Sequence, residues 1–345
     1  MRALALVFTL LLGCARAPGN GLPTNAEQAC ASCHSDHGAA FESSAHARAS
    51  ESPVFQALLP RVAASWGEAA RARCVACHAP AHGDDAAITC VSCHAAVGNL
   101  GARDGRLVLD LDAPLMGPFE GARAPHTTRT SGLLTSSELC ASCHEVTGPS
   151  LFVEHTGSEH ASAAVTTGSP ACAACHLRRL EDGAVAPGGP VRERHDHAFV
   201  GFDASTLAAA LELRFVDHAL ELENVGAGHA VPTGVAFLRD VWVDLDVTHA
   251  DGTVEHLPRV IELGDRPMRG AAPVALPTEA DRIEERRLAP FEVRRVAIAA
   301  DAVTASATLH ARAYRQDALD ALEISPLAAP PIEVTTTGHT YSDTR

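Results

Sequence analysis

Cys30-Ala-Ser-Cys33-His34, Cys74-Val-Ala-Cys77-His78, Cys90-Val-Ser-Cys93-His94, Cys140-Ala-Ser-Cys143-His144 and Cys172-Ala-Ala-Cys175-His176 are five copies of one pattern, Cys-x-x-Cys-His, and use ten of the eleven cysteines. Two thiols at that spacing on a helical turn reach the two vinyl groups of one haem, and the histidine that follows meets the iron. Each copy reads as a self-contained attachment site, so five c-type haems are expected, with His34, His78, His94, His144 and His176 as proximal ligands. Tetrahedral zinc needs such motifs in pairs, which an odd number followed at once by histidine fits poorly. A thioredoxin-like motif would not recur five times. Cysteines three apart do not ordinarily pair as structural disulfides.

The remaining cysteine, Cys14, follows Met1-Arg2 and the apolar run Ala3 to Leu12. That run is too short for a transmembrane helix and reads as a signal peptide. Leu11-Leu12-Gly13-Cys14 closes it like a bacterial lipobox, so residues 1–13 are expected to leave and Cys14 to be lipidated, with residues 14–23 as a tether. A plain signal peptide cut after Ala15 or Ala17 is the alternative. Ala15 suits an outer membrane, so the expected location is the cell envelope, anchored and facing the periplasm, or the cell surface.

With 345 residues and no motif beyond His176, two domains are the natural division, at residues 24–202 and 203–345. The fold class is therefore α+β, with an irregular, mainly α, haem-packed N-terminal domain and a C-terminal antiparallel β-sandwich. Aromatics are only 4% of the chain, so the macrocycles themselves are expected to fill the first core. All 27 basic residues are Arg, and the net charge is −15 before haem propionates are counted. That balance disfavours nucleic acid and favours a redox partner with a cationic patch.

In the first half, Ser52-Pro53 to Gly67 is expected as an amphipathic helix, Gly101 to Pro114 as a small hairpin with Leu107-Val108-Leu109 as its strand, and Gly183 to Pro190 as a loop. The short spacing of the second and third motifs makes their haems near neighbours. Met116 and Met268 are the only methionines left after Met1 is lost, so histidine must supply most sixth ligands. Bis-His ligation lowers the potential relative to His/Met. Fourteen histidines lie outside the motifs, His37 and His155 among them.

Several segments resemble the multihaem cytochromes related to the tetrahaem cytochrome c of ammonia-oxidising bacteria: Phe41-Glu42-Ser43-Ser44-Ala45-His46-Ala47 after the first motif, Ala79-Pro80 leading to Ile88-Thr89 before the third, Pro125-His126 ahead of Ser137-Glu138-Leu139, and His195-Asp196-His197-Ala198-Phe199-Val200-Gly201. The resemblance implies that His46, His126 and His197 are distal ligands, with His195 the alternative to His197. The fifth distal ligand is His82, His155 or His160; His160, in Gly157-Ser158-Glu159-His160-Ala161, holds a position where relatives carry a similar segment and is placed ahead of His82.

The second half alternates apolar and polar residues over Ala208 to Glu223, Asp240 to His249, Val254 to Leu263, Arg282 to Leu288, Val293 to Ile298 and Ala305 to Tyr314, with turns such as Asp251-Gly252. Asn224-Val-Gly-Ala-Gly-His229-Ala-Val-Pro232-Thr233-Gly234 resembles a loop of larger multihaem cytochromes whose histidine points at a haem. His229 is accordingly a distal candidate that would tie the β-domain over the haem domain as a cap. A buried structural histidine is the alternative.

Electron transfer between redox proteins, other cytochromes or a quinol-linked donor among them, is the expected function, and no catalytic residue is assigned. The competing class is an oxidoreductase with one open haem acting on a small nitrogen or sulfur oxo compound. Pentahaem nitrite reductases take a proximal Lys, which this chain lacks. Hydroxylamine oxidation in its family needs a Tyr at the catalytic haem, and Tyr314 and Tyr341 lie far beyond the motifs in sequence.

Overall fold

The computed structural model describes residues 26–81 and 87–341. The leader, Cys14, the tether and His82 lie outside the described residues. The fold is mixed α+β, with helices concentrated where the motifs are and long antiparallel strands after them. Among the described residues no helix is long and apolar enough to cross a membrane.

Helices α1 (Ala26–Ala31), α2 (Ser35–Glu42), α3 (Pro53–Trp66), α4 (Glu68–His78), α5 (Cys90–His94), α6 (Ser137–His144), α7 (Thr156–Thr167) and α8 (Cys172–His176) carry or flank the motifs. The α3 helix starts at Pro53, where the ring presets φ and no N–H is lost from the ladder. It stops at Gly67, whose φ of 86° turns the chain into α4. Two-stranded ribbons fill the gaps: β1 (Ala96–Asn99) with β2 (Leu107–Leu109), β3 (Leu115–Gly117) with β4 (Thr128–Thr130), and β5 (Arg179–Ala184) with β6 (Val191–His195). Leu107–Leu109 is thus a strand, but its partner begins before Gly101.

This half builds little apolar core of its own. Val91, Ala95 and Ala81 form a small cluster, and Val54 of α3 packs instead against Phe237, Leu238, Leu276 and Leu319 from the later part of the chain. Such a shell is what a chain folded around large cofactors would leave.

After it come α9 (Ala204–Ala210), β7 (Leu211–Val216), β8 (Ala219–Asn224), β9 (Asp240–His249), β10 (Val254–Leu263), β11 (Arg266–Arg269), β12 (Ala272–Pro273), β13 (Arg282–Glu284), β14 (Val293–Ala297), β15 (Ala302–Arg312), α10 (Gln316–Ala321) and β16 (Ile332–Thr340). The sheets run β10-β9-β15-β16, β14-β8-β7 and β12-β11-β13. Leu211, Leu213, Leu220 and Leu222 of one sheet share a buried cluster with Val241, Val243, Leu245 and Leu309 of another. The expected Ala208–Glu223 strand is a helix end followed by a hairpin. Asp203 caps α9 by accepting from Thr206 N at 3.0 Å, which lets the alanine run stay helical before β7.

Candidate functional site

Four motifs sit on helices that end at the motif histidine itself: α4 at His78, α5 at His94, α6 at His144 and α8 at His176. In the first, the bonds His34 N to Cys30 O (2.8 Å) and Cys33 N to Cys30 O (3.1 Å) make the same turn just past α1. A turn of this kind sets both cysteines and the histidine toward one side, as covalent attachment requires.

All ten motif cysteines and all five motif histidines line one connected cavity of about 2570 Å³. A pocket for a single small ligand spans roughly 300–1,000 Å³, so the volume suits several cofactors. His144 lies deep in the chain yet keeps 48% of its side-chain surface accessible, because that surface faces the cavity. Among the described residues no three His, Cys, Asp or Glu side chains converge as a metal cage.

The motif histidines share a second feature. Each Nδ1–H donates outward: His34 to Val185 O (2.8 Å), His78 to Ala49 O (2.9 Å), His94 to Met116 O (2.7 Å), His176 to Val200 O (2.8 Å) and His144 to Glu154 Oε1 (3.0 Å). That bond fixes the ring and leaves Nε2 as the free lone pair, the arrangement of a metal-ligating histidine.

The distances across the cavity are informative. Iron–imidazole bonds of about 2.0 Å, and about 1.1 Å from a ring atom to the ring centre, put two rings on one iron about 6.2 Å apart, centre to centre. His34 and His126 are 6.4 Å apart, His144 and His46 6.1 Å, His94 and His197 6.5 Å, and His176 and His229 6.3 Å. Their interplanar angles are 53°, 80°, 16° and 19°. Four motif histidines therefore face a second imidazole at coordination distance.

The facing rings are held in a similar way. His197 Nδ1 donates to His195 O (3.0 Å) and His229 Nδ1 to Ala230 O (2.9 Å). His126 makes a longer bond of 3.4 Å to Thr127 O. His46 Nδ1 is enclosed without a hydrogen-bond partner. Burial pushes His46 and His197 down to about 4 and lowers His229 and His94 below the usual histidine value, a shift that favours the neutral ring.

The His229 loop accounts for its own sequence. Buried Asn224 donates to His229 O (2.8 Å) and Leu288 O (3.0 Å) and accepts from Ala227 N (3.2 Å). A Cβ at Gly226 would stand 2.4 Å from Ala209 O, and Gly228 has φ 55°. Glu159 of α7 accepts from Ala230 N (2.9 Å) and from Arg287 Nη1 (2.7 Å), and Thr156 touches Thr233 hydroxyl to hydroxyl. The loop is thus pinned to the motif-bearing half.

His160, the expected fifth distal ligand, is placed differently. Its Nε2–H donates to Pro170 O at 2.8 Å, and no ring pair joins it to a motif histidine among the described residues. Both nitrogens of His195 are engaged, with Leu177 O (2.9 Å) and Glu193 Oε1 (3.0 Å), which leaves His197 as the free ring of that pair. His155 pairs with Glu145 Oε1 at 3.2 Å. His37 stands 6.5 Å from His34 and 4.7 Å from His197. Its signal in the sequence was the Cys-x-x-Cys-His-x-x-His spacing.

His78 differs from the other four. The ring beside it is Phe55 of α3, stacked at 4.0 Å and 12°, and among the described residues no second imidazole stands opposite. Sequence distance was also a poor guide to neighbours. The Cys77 thiol lies beside Cys143 of the fourth motif, and Cys140 beside Cys172 of the fifth. Tyr314 lines the cavity despite its distance along the chain. Arg239 lines it too, its guanidinium 4.9 Å from the Phe202 ring and 5.7 Å from that of Tyr314. Burial lowers the Arg239 pKa, and Nε has no hydrogen-bond partner, so the cavity wall carries an orphaned cationic donor that suits an acidic haem edge.

No protein-family model matches the chain, and neither does any curated protein. The fold is similar to that of a solved structure described as a penta-heme cytochrome c552 from Thermochromatium tepidum, with a TM-score of 0.65 and 18% identity, over 90% of this chain and 97% of that one. At that identity the likeness is one of fold.

Proposed function

We propose that the chain is an electron-transfer protein, a pentahaem c-type cytochrome with one covalent haem on each Cys-x-x-Cys-His motif. The observation that carries this reading is that four motif histidines, His34, His94, His144 and His176, each face a second imidazole 6.1–6.5 Å away inside one cavity. The fold of the penta-heme neighbour and the segments resembling the tetrahaem family support it.

Bound haem supplies one-electron chemistry. His34 with His126, His94 with His197, His144 with His46 and His176 with His229 would hold it, and such bis-His ligation would keep the centres at low potential. Lipidation at Cys14 tethers the protein in the bacterial cell envelope, on the outer membrane facing the periplasm or at the cell surface. Its partners are other cytochromes or a quinol-linked donor, and the −15 charge favours a cationic docking patch. In a redox titration of the purified protein, five one-electron steps and exchange with a basic cytochrome that slows as salt rises support this reading. Fewer than five covalent haems per chain would refute it.

A second reading has one specific observation in its favour, the lack of an imidazole opposite His78 among the described residues. On that reading the second-motif haem keeps an open position and takes a small nitrogen or sulfur oxo compound. Binding of nitrite or hydroxylamine that alters a high-spin signal supports it, and five low-spin centres would end it.

A further inference from the structure

The five outward bonds from the motif histidines are not equivalent. Four end on main-chain carbonyls, and the fifth, from His144, ends on the side-chain carboxylate of Glu154 at 3.0 Å. Glu154 is 8% exposed, and its backbone is fixed by a bridge to Val146, with N–O distances of 2.7 and 2.9 Å. Thr156 Oγ1 donates to the same Oε1 at 3.1 Å. Across the cavity the partner ring, His46, has no hydrogen bond at Nδ1. This pair therefore has a charged acceptor behind one ring and none behind the other.

We propose that Glu154 sets the reduction potential of the haem held between His144 and His46, keeping it below the value that a carbonyl in the same place would give. The inference rests on the reading that these two histidines share an iron. A carboxylate draws the Nδ1 proton more strongly than a carbonyl does, so the ring gains imidazolate character and donates more to the iron. More donation, and a fixed negative charge in a poorly screened interior, stabilise the ferric over the ferrous state.

The position makes this consequential. The fourth motif touches the second through Cys143 and Cys77, and the fifth through Cys140 and Cys172. A depressed centre there is a step that electrons cross between the second-motif and fifth-motif haems, and Glu154 sets its height. Glu154 is a positioning residue, since it acts through His144.

The test is an EPR-monitored redox titration of the holoprotein carrying Glu154→Gln, which keeps an oxygen acceptor and removes the charge. One midpoint rises by about 59 mV, which is about a tenfold shift in a one-electron equilibrium, and the low-spin count stays unchanged. The haem that moves is the one whose low-spin signal is lost in His46→Ala. Should Glu154→Gln not fold, Thr156→Val decides, because it removes a competing donor from the same oxygen and the midpoint falls. A His46-dependent low-spin centre whose midpoint stays put in the folded variant overturns the proposal and leaves electron transfer standing. Loss of no low-spin signal in His46→Ala overturns the ligand assignment, and the proposal with it.

Discussion

Replacing His229 by Ala takes away one of two rings whose centres stand 6.3 Å apart, on a loop that belongs to the β-rich half. A methyl group in its place reaches no iron, so the fifth-motif haem passes from six-coordinate low-spin to five-coordinate high-spin. With four motif histidines facing a second imidazole among the described residues, about one quarter of the low-spin intensity that the proposed bis-His ligation gives them is lost. The loop itself stays in place, because Asn224, Glu159 and Arg287 hold its backbone without the ring. Asn224→Ala does the opposite. It leaves the ring but strips buried loop groups of their partners, at a cost of about 1–3 kcal/mol, so it lowers the melting temperature while keeping the low-spin signals. EPR and resonance Raman on oxidised protein, beside circular dichroism, separate the two effects. A folded His229→Ala protein that retains every low-spin signal refutes the assignment.

Alanine at His46, His126 or His197 removes one low-spin signal each in the same spectra, while alanine at His160 or His195 removes none. Changing both cysteines of any one motif to serine lowers the covalent haem count by one, read by intact mass. Arg287→Ala breaks contacts to Glu159 at 2.7 Å and to Asp265 at 3.3 Å. Because the arginine side chain is only 11% exposed, the loss is about 2–3 kcal/mol, below that of a fully buried pair, and a drop in melting temperature measures it. Cys14→Ser releases the protein from the membrane fraction, and continued sedimentation with membranes counts against lipidation.

Attachment chemistry is local, so five residues at a time announce it, and the structure gathers all five motifs around one cavity. Ligand pairing depends instead on which loops the fold brings together. His46, His126, His197 and His229 stood out through resemblance of their segments. His160 also lines the cavity, and the carbonyl that takes its Nε2–H belongs to Pro170, after α7, a contact that its own segment does not announce. Glu154 has no signal in the sequence beyond a carboxylate near a motif, because its meaning lies in one 3.0 Å bond set by a two-residue bridge. Tyr314 looked remote only because chain distance was taken for distance in space. In the β-rich half, alternation marks Asp240–His249 and Val254–Leu263 to the residue. The edge strand Ile332–Thr340 escapes because it is largely exposed and four of its nine residues are threonine, with little apolar contrast to read.

Low-temperature EPR of the oxidised protein tests the central claim most directly, because it counts irons by what lies on both faces. At least four bis-His low-spin centres are the predicted result. Fewer than four bis-His centres would contradict it.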